Sequence, residues 1–92
     1  MANVVLSAVA IADLDELIAS RSLPDDARSR IRQRLSQLER FPESGARLEG
    51  RWAPARALTG PWPWMLHVYD YEPDADLVIV LTVQDARSAS SR

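Results

Sequence analysis

A chain of 92 residues, 47% hydrophobic and 26% charged, has the composition of an ordinary globular protein with a small hydrophobic core. It has no cysteine and one histidine, which excludes disulfides and a cysteine-rich zinc cluster, so we expect no metal and no cofactor. The net charge of -2 argues against strong non-specific binding to nucleic acid. Every basic residue is arginine, which stays charged and is a poor proton acceptor, so groups that could act as a general base are scarce.

The N-terminal residues lack the basic region and long apolar stretch of a signal peptide. No apolar run approaches the roughly 20 residues that a membrane-spanning helix needs. We therefore expect one cytoplasmic domain over residues 1–92 that does not engage a membrane.

The first third of the chain predicts a strand followed by an amphipathic helix. Residues 3–7 form a short apolar run that ends in Ser7, whose hydroxyl can accept a hydrogen bond from the first free amides of a helix. The apolar residues Ala10, Leu14, Leu17 and Ile18 then recur at helical spacing. Acidic residues lie between them.

A second helix is predicted to begin near residues 22–25, where Ser22 followed by Asp25 resembles a capping box and Pro24 suits an early helical position. Its apolar stripe comprises Ala27, Ile31, Leu35 and Leu38. Pro42 and Gly45 end it. The short join before it predicts an antiparallel helical hairpin with two apolar faces to cover.

The second half of the chain predicts three strands, at residues 52–58, 62–71 and 77–83, which are rich in aromatic and β-branched residues. Turn-forming residues at 59–61 and 72–76 join them into hairpins. The fold class is thus α+β, an antiparallel sheet with the helical hairpin packed on one face. The serine-rich residues 87–92 are expected to fray.

This order of elements, βααβββ, resembles the RelE/ParE superfamily of toxins, and the resemblance extends over nearly the whole chain. The resemblance lies in short sequence motifs: Val5-Leu6-Ser7 before Ala10 and Asp13-Leu14, Leu38-Glu39-Arg40-Phe41-Pro42 followed by Gly45, Leu48-Glu49-Gly50, Arg56 before Gly60, Val68-Tyr69, and the run from Val78 to Val83 that leads into Asp85-Ala86-Arg87.

The resemblance implies a bacterial growth inhibitor of a type II toxin–antitoxin system, of the kind linked to plasmid stabilisation, held silent in a hetero-oligomer with a cognate antitoxin. RelE-like members cleave messenger RNA on the ribosome, whereas ParE-like members inhibit DNA gyrase without being nucleases. We expect the partner to cover the exposed face of the sheet and the groove beside the helices.

The chain departs from the nuclease pattern at one strand. RelE-like nucleases resemble one another in an aromatic-arginine pair at the start of the strand that here begins Trp62-Pro63-Trp64, and this chain has no arginine there and no lysine anywhere. We therefore favour a ParE-like inhibitor of DNA gyrase. The alternatives are a RelE-like ribosome-dependent mRNA endoribonuclease and a degenerate member that binds only its antitoxin.

If the chain is a nuclease, the catalytic candidates are His67, Arg87 and Arg56. His67 could act as a general base if its pKa lies near neutrality, but a histidine hydrogen-bonded on or under the sheet is the alternative. Arg87 could bind phosphate or an antitoxin carboxylate, or could pair with neighbouring Asp85. Arg56 could likewise bind a ligand or form an ion pair with a nearby acidic residue.

The candidates for binding a partner are Arg56, Arg87 and Trp62. Trp62 lies at a stiff turn, which is a typical place for an aromatic residue that anchors a protein interface. The alternative is a ring that caps the small core, which the sequence favours more for Trp64 than for Trp62, because Trp62 is nearer the turn.

Overall fold

The computed structural model describes residues 1–89, which form five strands, four helices and one short 3-10 helix at Gly50–Trp52. In chain order the elements are β1 Asn3–Leu6, α1 Ala8–Ser20, α2 Ala27–Leu35, α3 Gln37–Arg40, β2 Ala46–Arg47, β3 Arg56–Thr59, β4 Met65–Glu72, β5 Leu77–Asp85 and α4 Ala86–Ala89. Of the residues 87–92 that were expected to fray, the first three belong to α4, and residues 90–92 lie outside the described residues.

The five strands form one sheet in the order β1-β5-β4-β3-β2. The predicted hairpins are present, because β3 pairs antiparallel with β4 and β4 antiparallel with β5. However, β1 lies parallel to β5, with Val4 opposite Val78, so the sheet is mixed and not wholly antiparallel as predicted. The reason is topological: the chain returns to β5 only after both hairpin turns and then runs in the direction of β1.

The predicted apolar stripes of the helices lie in the core, except that Ile18 is only half-buried. Ala10, Leu14 and Leu17 of α1 are buried, and so are Ala27, Ile31, Leu35 and Leu38 of the second helical segment. The helices cover the face of the sheet that presents Met65, Tyr69, Val78 and Val80. Ser7 caps α1 as expected, since its hydroxyl accepts a hydrogen bond from the Ala10 amide at 3.1 Å.

The predicted start of the second helix is wrong. Ser22 has a positive φ of 49° and is not a cap, and α2 begins at Ala27 after Asp26, whose side chain makes no capping hydrogen bond. The chain needs residues 21–26 to reverse its direction, and Ala27 donates to the Pro24 carbonyl at 2.9 Å in that turn. Ser36 divides the predicted single helix into α2 and α3.

The strand boundaries also differ from those predicted. Trp52 lies in the 3-10 helix, and β3 begins only at Arg56. Trp62 and Trp64 precede β4 and are not part of it. Each of the two predicted strands contains a proline, Pro54 in the first and Pro63 in the second. A proline removes a backbone donor that a strand would need, so the aromatic residues overstate the β character of these segments. The two-residue strand β2 was not predicted.

Candidate functional site

His67 lies in the middle of β4 on the face that the helices cover, and its side chain is completely buried. Its Nε2 lies 2.8 Å from the Gly60 carbonyl and donates a hydrogen bond to it, whereas Nδ1 has no partner among the described residues. Burial lowers the pKa of His67 and the positive charge of Arg34 adds to that effect, while the hydrogen bond to Gly60 opposes it. The imidazole is therefore neutral and shielded from an external substrate.

Arg56 holds the chain that enters β2. Its Nη1 donates to the backbone carbonyls of Glu43 and Gly45, both at 3.0 Å, and its Nη2 lies 3.5 Å from the Glu43 carboxylate. A pocket of about 350 Å³ lies beside it and is lined by Glu43, Arg47, Pro54, Arg56, Asp70, Tyr71, Glu72 and Pro73. Three of these residues carry carboxylates and two carry guanidinium groups. This excess of negative charge disfavours phosphate binding.

Arg87 forms part of a charged cluster at the end of β5. Both Arg87 and Arg21 donate to the Asp85 carboxylate, with Nη2 of each within 3.0 Å of Oδ2. Asp85 is buried, and the hydrogen bonds from Arg87 hold its pKa well below its usual range. The pairing of Arg87 with Asp85, one of the two possibilities open from the sequence, is therefore present, and the pairing of Arg21 with the same carboxylate joins the last strand to the end of α1.

The fold does not bring the three nuclease candidates together. Arg87 follows Asp85, which pairs with Met65 at one end of β4, whereas Arg56 pairs with Tyr69. Four strand residues at ~3.3 Å each separate these positions by about 13 Å along the strand. His67 lies between them but is buried beneath the helices.

Trp62 and Trp64 stack on one another beside this charged cluster. Their ring centroids are 6.2 Å apart with an angle of 25° between the planes. The guanidinium of Arg30 lies over Trp62 at 4.8 Å, and that of Arg87 lies over Trp64 at 5.0 Å. Both residues are half-buried and pack against the core, so both help to cover it.

Sequence reasoning missed Arg30, Arg34 and Arg21, which the fold places around the tryptophans and Asp85. The two-residue spacing of Trp62 and Trp64 was a signal that their rings could share a face. The sequence of the second helix gave no comparable signal for a site. Its arginines occur at every second position, a pattern typical of a solvent-exposed helix surface.

A groove of about 400 Å³ lies between the first two helices, above β1. We call it the α1–α2 groove, and its lining residues are Val4, Leu6, Leu14, Arg28, Ile31, Arg32, Leu35, Ser36 and Glu39. Five of these nine are aliphatic, so the groove has an apolar floor with charged side chains at its margins. This apolar surface suits a protein partner.

Within residues 1–89 there is no cluster of histidine, cysteine, aspartate or glutamate suited to a metal ion. None of the helices in that part of the chain combines the length and the apolar character required to cross a membrane.

No family model and no curated protein matches the sequence. Solved structures do share its fold. A chain of the toxin–antitoxin complex RelBE2 from Mycobacterium tuberculosis superposes with a TM-score of 0.70 at 18% identity, over 91% of this chain and 96% of that chain.

Two Helicobacter pylori proteins are also similar. A copper-bound mutant toxin has a TM-score of 0.72 at 22% identity, over 96% of this chain and 98% of that one. A conserved hypothetical protein has a TM-score of 0.58 at 19% identity, over 95% and 97%. The chain therefore has the same α+β fold as these structures, a RelE-like fold.

Proposed function

We propose that this chain is the toxin of a type II toxin–antitoxin pair and that it acts by binding a protein target, DNA gyrase, and not by cleaving RNA. The fold it shares with a chain of the RelBE2 complex and with an H. pylori toxin supports the first part. The failure of His67, Arg56 and Arg87 to converge on one accessible site is the observation that carries the second.

Cleavage of RNA by its own 2′-hydroxyl requires a base to accept the proton, positive groups for the phosphate and an acid for the leaving oxygen. Each contributes roughly a hundredfold or more to the rate. His67 is buried and neutral, so it offers no base to a ribose in solution. Arg87 is bonded to Asp85 and Arg56 to backbone carbonyls, so neither presents an uncommitted positive charge.

The α1–α2 groove is where we place the antitoxin. Its aliphatic floor would be covered by an apolar stripe of the partner. Burial of apolar surface contributes about 25 cal/mol per Å² before the costs of association are subtracted. Such a contact explains how the partner stabilises a domain with a small core.

A RelE-like endoribonuclease is the second candidate, favoured by the likeness to a chain of RelBE2. Two measurements separate the two activities: primer extension on cellular transcripts after induction, and gyrase supercoiling with purified protein. We expect growth arrest, intact transcripts and inhibited supercoiling.

The variant His67→Gln is the matched control, since glutamine can still donate to the Gly60 carbonyl. It should arrest growth as the parent does. Codon-position cuts that disappear in this variant would overturn the ranking in favour of the nuclease. Free growth under full expression of soluble protein would overturn the toxin assignment itself.

A further inference from the structure

The helix α2 concentrates positive charge on a protein whose net charge is negative. It contains four arginines and no acidic residue. Arg30 and Arg34 are four positions apart and so lie on one face of the helix. Arg34 donates to the Thr59 carbonyl at 2.7 Å and to Gln37 at 2.6 Å, which fixes it against the turn before β4.

A shallow pocket of about 480 Å³ opens between this helix face and the same turn. It is lined by Arg30, Gln33, Arg34, Ser36, Gln37 and Pro61. Five of these six side chains can donate hydrogen bonds and none of the six is acidic. Arg30 makes no ion pair with a carboxylate of the described residues, so its guanidinium is available to an anionic ligand.

The stacked tryptophans extend this surface toward Arg87. Arg30 is common to the pocket and to the stack, because its guanidinium lies over Trp62. The contact with the ring restrains the side chain, which lowers the entropy lost when it binds a ligand. We call the surface formed by Arg30, Arg34, Trp62 and Trp64 the arginine–tryptophan face.

We propose that the arginine–tryptophan face binds an acidic peptide segment of a partner protein, with Arg30 contacting its carboxylates. Guanidinium groups match carboxylates in a planar, two-pronged geometry, and tryptophan edges supply apolar contact for the aliphatic parts of glutamate side chains. The proposal rests on the charge and geometry of this face and holds whether or not the chain is a toxin.

A single-stranded nucleic acid fits this face less well. Such ligands stack their bases on open aromatic faces, but here each ring has the other ring stacked against it and a guanidinium over it.

The test is titration of the whole chain with a short fluorescein-labelled peptide of alternating glutamate and alanine, and separately with an oligo-thymidine of equal charge. We expect saturable binding of the peptide that weakens about two- to fivefold in Arg30→Gln, the effect of losing one exposed charge pair. Arg40→Gln is the control, with the same charge change at an exposed residue of α3 that lines neither the α1–α2 groove nor the pocket beside Arg30. It should bind as the parent does.

Nuclear magnetic resonance gives a second measurement on the same samples. The indole N–H signals of Trp62 and Trp64 should shift on addition of peptide, whereas that of Trp52, in the 3-10 helix, should not. Equal weakening in Arg30→Gln and Arg40→Gln, no detectable binding, or unmoved Trp62 and Trp64 signals would overturn the proposal. Tighter binding of the oligonucleotide than of the peptide would also overturn it and identify the face as a nucleic-acid site.

Discussion

Lowering the pH through the ordinary titration range of histidine should destabilise this protein through one residue. His67 is the only histidine and is completely buried, with Nδ1 unpartnered among the described residues. Burial and the charge of Arg34 lower its pKa below the ordinary value of 6.5. In the unfolded chain the imidazole is in water and regains that ordinary value.

The direction follows from proton binding. Below pH 6.5 the unfolded state takes up a proton that the folded state rejects, so the free energy of unfolding falls as the pH falls. The stabilisation is complete above pH 6.5 and is lost progressively until the pH reaches the folded pKa. One proton limits the slope to about 1.4 kcal/mol per pH unit.

Urea unfolding in steps from neutral pH down to about pH 5, above the range in which most carboxylates titrate, measures this slope. His67→Gln is the control, because its amide can donate to the Gly60 carbonyl but does not titrate. The variant should lose the slope whatever its stability at neutral pH. A parent slope equal to that of the variant, or an imidazole resonance that titrates at or above 6.5, would refute the reasoning.

Three further changes test the contacts that position the sheet. Gly45→Ala should lower the free energy of unfolding by about 1–3 kcal/mol, measured in urea, because a Cβ there would lie 2.6 Å from the Tyr69 hydroxyl; unchanged stability would contradict this packing. Ser7→Ala should cost about 0.5–2 kcal/mol in the same assay through loss of the cap of α1, and a helix signal and midpoint like those of the parent would count against that role. The folded pKa of Asp85 is lowered, so its stabilisation is present above the ordinary 3.8 and lost as the pH falls below it. Asp85→Asn should therefore flatten the acid limb of the stability profile, and superimposable acid profiles would show that Arg87 contributes nothing through this carboxylate.

The sequence by itself determined the helices, their buried stripes and the two β-hairpins. These features depend on periodicity and on residues close together in the chain, such as Ser7 at the start of α1 and the apolar series that ends at Leu38. The α+β class and the resemblance to RelE/ParE toxins followed from the same local patterns. Two local features failed. Ser22 has to reverse the chain and does not cap α2. The strands β3 and β4 begin later than their aromatic residues predicted.

Only the tertiary structure decided what surrounds each functional candidate. The parallel contact of β1 with β5 joins residues more than seventy positions apart, and no local pattern specifies it. A lone histidine in a strand faces either the helices or the solvent, and the pairing register placed His67 beneath the helices. The stack of Arg30 on Trp62 likewise depends on how α2 crosses the sheet. The sequence specifies the chemistry of each side chain. The burial of a side chain and its hydrogen-bond partners depend on packing between distant segments, and these decide whether a polar group is accessible to a ligand.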